Sequence, residues 1–280
     1  MMDIENQSIA MTSLTVAPKD PVLEELSVIA IRHLEAAGPV MKMIQSVGRI
    51  TEPAAGTLLG LSPTQFQNGL EAIFRNLYNA AEYVDSIALV REAPVVANKA
   101  GVVVSGMAGG FFGLAGLPAE LPATTTIIFN AILKVARQHG FEPTEEQIRR
   151  ECLNVFTMGG PDDHDDASGA TFIANRLLLR GETVTALISR VSAEFMTRLT
   201  AKLGSQIVPV IGALSGGVIN LAFINYYETV ADIHFRLLKL AQDNPGLDVN
   251  EAYARALAEE RAKKKAAPGL IESLTSRFTG

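Results

Sequence analysis

Two long segments without a charged residue constrain the fold of this chain more than any other feature. The first runs from Ala100 to Leu117, and the second follows about a hundred residues later, from Ile207 to Tyr227. The first contains glycines at the G-x-x-x-G spacing, such as Gly106 and Gly110, which allows two helices to approach closely. We therefore predict an all-α fold, a helical bundle organised around two Gly-rich hydrophobic helices that pack on each other.

Composition narrows the class of protein further. The net charge is −6, which argues against a nucleic-acid partner because the phosphate backbone repels an acidic surface. The single Cys152 excludes an intrachain disulfide and suits a reducing compartment. Residues 1–19 are polar, without the basic and apolar regions of a secretory signal. We expect this segment to be disordered and the protein to be cytoplasmic.

Capping signals divide the rest of the chain into helices. Asp20-Pro21 and Ser62-Pro63 are typical helix starts, and Gly140 is typical of a helix end. Pro118 and Pro122 predict a turn between them, with a new helix opening at Pro122. No period-two alternation typical of strands is present. We predict a single helical domain over residues 20–246, followed by a charged, amphipathic C-terminal tail over residues 247–280.

Two segments carry a family resemblance. The pattern GLPxELPxTT fits residues 116–125, and the pattern PVIGAxxGxxIN…F…H fits residues 209–234. Both look like the bacterial EcsC family, which is named for a protein encoded beside an ABC transporter and is largely without an assigned activity. The resemblance covers roughly residues 60–245 and implies an α-helical protein, cytoplasmic or membrane-associated, tied to transport or envelope processes.

Polar residues continue the second Gly-rich segment and form the predicted site. Asn220, Tyr227 and His234 recur every seven residues and share one helix face, whereas Asn225, Glu228 and Asp232 lie on another. Antiparallel packing of the two Gly-rich helices would bring Lys99 close to Glu228. The predicted binding residues are therefore Lys99, Asn220, Asn225, Tyr227, Glu228 and Asp232.

Glu120 and His234 are the candidate catalytic residues, as an acid–base pair in a polar pocket between helices. The alternative is that both residues have only structural roles. Glu120 would cap the helix that follows its Pro-bracketed turn, and the polar stripe would only satisfy its own hydrogen bonds.

Other chemistry finds little support in the sequence. The chain has no G-x-S-x-G, H-E-x-x-H or P-loop motif. The acidic loop from Asp162 to Asp166 has side chains suited to a hard cation, but it lacks EF-hand spacing. Cys152 lies on an apolar helix face and is expected in the core. We expect no metal and no cofactor.

The Gly-rich segments leave the membrane question open. Each reaches the roughly 20 apolar residues of a membrane span, yet polar Asn220 and Asn225 within the second favour burial in a bundle. In the tail, Lys263–Lys265 and an apolar face that includes Leu270 and Phe278 resemble an interfacial anchor. The protein would then be peripheral, or integral, at the inner membrane.

Three hypotheses of function follow from the sequence. The first is a protein of unassigned activity at the cytoplasmic membrane face that binds lipid or a membrane or transport partner. The alternative is a hydrolase-like enzyme that uses Glu120 and His234. The second alternative is a soluble helical adaptor.

Overall fold

A computed structural model shows an all-α protein, as predicted. It describes residues 20–36, 38, 41–42, 62–82, 117–158, 181–207 and 216–266, and within these ranges it contains helices and no strand. The α-helices are α1 (Pro21–Glu35), α2 (Pro63–Ala80), α3 (Leu117–Gln138), α4 (Glu146–Asn154), α5 (Val184–Ile207), α6 (Gly216–Asp243) and α7 (Val249–Ala266). A short 3₁₀ turn, Val155–Thr157, extends α4.

The capping signals in the sequence mark real helix ends. The Asp20 carboxylate accepts a hydrogen bond from the Val22 amide at the start of α1. Ser62 and Gln65 form a reciprocal capping box at the start of α2. At the end of α3, Gly140 has a φ of +80°, and the next amide bonds back to the Ala136 carbonyl in a Schellman arrangement.

The turn predicted between Pro118 and Pro122 is wrong. Helix α3 begins at Leu117 and runs through both prolines. Pro118 lies in the first turn, where its missing N–H has no intrahelical partner to lose. Pro122 lies just beyond and removes one backbone hydrogen bond. The Thr125 and Thr126 hydroxyls donate to the Leu121 and Pro122 carbonyls at 2.7 Å.

An aromatic cluster lies at the centre of the core. Phe156, at the 3₁₀ turn, has its ring centroid 4.9 Å from that of Phe74 in α2, 5.3 Å from that of Phe195 in α5 and 5.1 Å from that of Tyr227 in α6. Phe129 of α3 stacks on the same ring at 6.3 Å. These five side chains are fully buried, so four helices and the 3₁₀ turn share one packed centre.

Helix α7 packs against α1 although most of the chain separates them. Its residues Val249, Tyr253 and Leu257 are buried. Ser27 of α1 donates to the Glu260 carboxylate at 2.7 Å. The segment predicted as a charged tail therefore contains a docked helix up to Ala266. The predicted domain limits themselves stay a prediction.

Several predicted features lie outside the described residues. These are the N-terminal segment 1–19, Lys99, the first Gly-rich segment up to Gly116, the acidic loop at 162–166 and residues 267–280. The contact between the two Gly-rich helices falls there as well. Among the helices that the structure does describe, none is both long and apolar enough to cross a membrane.

Candidate functional site

A cleft of about 870 Å³ lies between the end of α6, helix α4 and the segment that leads into α7. Helix α4 forms one wall, and the loop 245–248 with the first turn of α7 forms the other. His234, Leu238 and Ala241 of α6 line the floor, since spacings of four and three place them on one helix face. The cleft is large enough for a small-molecule ligand.

A histidine–carboxylate pair closes the polar end of the cleft. Nε2 of His234 lies 2.8 Å from Oε2 of Glu151 in α4. The His234 side chain is only 2% exposed and that of Glu151 is 12% exposed. A carboxylate can only accept, so the ring donates from Nε2. Both residues line the cleft, and Glu151 is the more exposed member of the pair.

The cleft is rich in hydrogen-bond acceptors. Glu146 and Asp248 line it as well as Glu151. The one guanidinium there, that of Arg150, donates to the backbone carbonyl of Glu182. Among the described residues no hydrogen-bond donor to Oε1 of Glu151 is found, and this atom is not buried. A ligand that donates hydrogen bonds would find carboxylate acceptors here.

Apolar side chains also line the cleft. They are Leu238 and Ala241 of α6, Leu247 in the loop after it and Val249 at the start of α7. Leu247 is 37% exposed, so its side chain is accessible to a ligand in the cleft. The cleft therefore combines charged and hydrocarbon groups in its lining, which suits an amphiphilic molecule.

A second ionic cluster lies outside this cleft and is structural. Asp232 of α6 binds His139 Nε2 at 2.9 Å and Arg32 Nε at 3.0 Å. Arg236 lies 3.9 Å from the same carboxylate and 3.5 Å from that of Glu25. The cluster joins α1, the end of α3 and α6, so it holds three elements together.

The predicted site residues that the structure describes lie in different surroundings. Asp232 and His234 are two positions apart, which turns their side chains about 200° apart around the helix axis. Tyr227 is buried in the aromatic cluster, Asn220 is buried, Glu228 is half-buried and Asn225 is exposed. Of the predicted residues whose side chains the structure describes, His234 alone lines the cleft.

The backbone of Glu120 lies at the opposite end of α3 from the contact made next to His234. The backbone of Glu120 lies in the first turn of α3, whereas His139 at the far end of that helix contacts Asp232, next to His234 along α6. Glu120 and His139 are nineteen positions apart, a length of about 28 Å along a helix. Glu151 occupies the position beside His234 that the sequence analysis assigned to Glu120.

Sequence reasoning missed Glu151, Glu146 and Leu247. Their local signal is weak: Glu146 and Arg150, like Gln147 and Glu151, are four residues apart on a short polar helix, a pattern typical of any solvated helix face. Cys152 was predicted correctly as a core residue, and its burial raises the pKa of the thiol well above the ordinary value.

The family model for the EcsC protein family matches residues 91–238, more than half of the chain. The chain belongs to the EcsC protein family. No curated protein and no solved structure matches it. In this EcsC protein the matched region contains both Glu151 and His234, while the wall formed by Leu247 and Asp248 follows it along the chain.

Proposed function

We propose that this EcsC protein is a peripheral protein of the cytoplasmic membrane face that binds a lipid. The head group lies against Glu151 and His234, and the first part of an acyl chain lies against Leu238 and Leu247. The observation that carries the proposal is the mixed lining of the cleft, which combines charged residues with Leu238, Leu247 and Val249. Lys263–Lys265, exposed in the last turn of α7, add attraction to an anionic surface.

Vesicle flotation tests the proposal. The protein is mixed with vesicles of phosphatidylethanolamine and phosphatidylglycerol, and the Leu247→Asp variant is compared with the wild type. A carboxylate at this position would repel an acyl chain, so we expect the variant to stay with the soluble protein. Leu23→Asp is the matched control, because Leu23 is 57% exposed on α1 outside the cleft; it should float like the wild type.

Either of two results would contradict the proposal. If the wild type does not float, the soluble adaptor remains the better hypothesis. If both variants lose flotation equally, the membrane contact is not in the cleft. A carbonate wash of membranes gives an independent test of location, since it should release a peripheral protein.

The His234–Glu151 pair favours a second function, hydrolysis of an amphiphilic ester. Glu151 would take a proton from water while His234 holds the carboxylate in place, as in general-base catalysis. The test is release of nitrophenol from p-nitrophenyl octanoate. We expect Glu151→Gln to abolish a turnover that Glu145→Gln leaves intact, because Glu145 precedes α4 and does not line the cleft. No turnover by the wild type would count against this function.

A further inference from the structure

We propose that the polar end of the cleft selects a cationic amine head group over an anionic one. This inference rests on the proposed binding of an amphiphile in the cleft and adds the charge of its head group. The evidence is the balance of charged groups that line the cleft and the bonds that each already makes.

The carboxylate of Glu151 is held with one oxygen free. The buried His234 ring occupies Oε2 at 2.8 Å, so the carboxylate cannot turn away without breaking that bond. Oε1 receives no hydrogen bond from the described residues and is not buried. A primary ammonium group donates three hydrogen bonds and carries a positive charge, so it fits this acceptor.

Glu146 and Asp248 extend the same acceptor surface. Glu146 is exposed and forms no ion pair within the described part of the chain. One Asp248 oxygen accepts the Glu251 amide at 3.0 Å as the cap of α7. Three carboxylates therefore belong to the lining that a ligand in the cleft would meet.

The groups that could bind an anion are outnumbered. Among the described residues, Arg150 carries the one Lys or Arg side chain of the cleft lining, against three carboxylates, and one of its N–H groups donates to the Glu182 carbonyl. The amino end of α7 lines the cleft, but a helix end carries only about half a positive charge, and the Asp248 carboxylate caps it. A phosphate or sulfate at this place would meet more negative charge than positive.

Three amphiphiles with the same chain test the inference. Octylammonium chloride, sodium octyl sulfate and octyl glucoside are titrated into the intact protein by calorimetry, each below its critical micelle concentration. We expect octylammonium to bind about tenfold more tightly than octyl sulfate, the factor expected from one charge-assisted hydrogen bond. Octyl glucoside should bind with intermediate affinity.

Two adjacent glutamates supply the matched variants. Glu146→Gln removes a charge inside the cleft, whereas Glu145→Gln removes one beside it. Both residues are exposed, so neither change should disturb folding. We expect only Glu146→Gln to weaken octylammonium binding, and Glu151→Gln to weaken it further, provided its circular dichroism matches the wild type.

The outcomes separate this inference from the proposed function. If octyl sulfate binds as tightly as octylammonium or more tightly, or if Glu145→Gln weakens the amine as much as Glu146→Gln, the head-group inference is wrong and amphiphile binding stands. If none of the three amphiphiles binds, the proposed function fails with it.

Discussion

His33 shows how burial at a single residue sets a pH dependence. Its ring lies between α1 and α7, with Nδ1 hydrogen-bonded to the Tyr253 hydroxyl. Burial, reinforced by the charge of Arg261, lowers the pKa of His33 from an ordinary value of 6.5 to about 4. The ring is therefore neutral in the folded protein at any pH well above this lowered pKa.

We predict that the protein loses stability as the pH falls from about 6.5 to about 4. Within this window the unfolded chain binds a proton at His33 and the folded chain does not, so acid favours unfolding. The full effect is at most about 3 kcal/mol. Urea unfolding at several pH values measures it.

The variant His33→Gln should flatten this part of the stability profile. Tyr253→Phe is the control, because it removes the hydroxyl and keeps the burial that is the main cause of the low pKa. A slope in His33→Gln as steep as in the wild type would show that another group is responsible.

The range of an interaction along the chain decides which residues could be predicted. Asp20, Ser62 with Gln65, and Gly140 act on backbone groups within a few residues, so their roles follow from the local sequence. The contact between Glu151 and His234 joins positions 83 apart, and no local pattern specifies it. His234 was predicted from its helix spacing, but its partner depended on tertiary packing.

At the scale of the helix, two glycines should respond in opposite ways to the same substitution. A Cβ would meet no atom within 4 Å at either Gly69 or Gly140, so packing does not separate them. Gly140 has a φ of +80°, which costs an L-residue about 1–2 kcal/mol. Gly69 lies inside α2, where alanine is preferred by about 1 kcal/mol.

We therefore expect Gly140→Ala to lower the free energy of unfolding by about 1 kcal/mol or more. Gly69→Ala should raise it by about 0.5–1 kcal/mol. Chemical denaturation of the two variants beside the wild type measures both. A stabilising Gly140→Ala would mean that α3 does not end with a left-handed residue.

Helix existence followed from the sequence better than helix extent. The start of α3 was placed too late because proline usually breaks a helix. In α3 both prolines lie near the amino end, where few backbone bonds are lost. The docking of α7 was not predicted because many of its residues are charged or polar. Only a narrow stripe is buried, formed by Val249, Tyr253 and Leu257.

For the whole molecule, the aromatic cluster should be the strongest single determinant of stability. We predict that Phe156→Ala lowers the free energy of unfolding by about 3–5 kcal/mol, because it leaves a cavity among rings from several elements. Thermal and urea unfolding measure the loss. The control Leu23→Ala changes an exposed side chain and should cost less than about 0.5 kcal/mol.

The architecture as a whole could be predicted only as a class. Uncharged Gly-rich segments and helical spacing indicated an all-α bundle, which is confirmed. The identity of the central contacts could not be predicted, because Phe156 lies in a 3₁₀ turn with no helix period of its own. The cleft could not be predicted either, because α4, α6 and α7 form it jointly.

The packing of α1 on α7 has a consequence during synthesis of the protein on the ribosome. Ser27 and Glu260 are 233 positions apart, and translation adds about 5–20 residues per second. After Leu26 and Ile29 of α1 are synthesised, on the order of 10–50 seconds therefore pass before α7 is made and can cover them. Until α7 is made, part of the apolar face that Leu26, Ile29 and Ala30 form on α1 stays exposed to water.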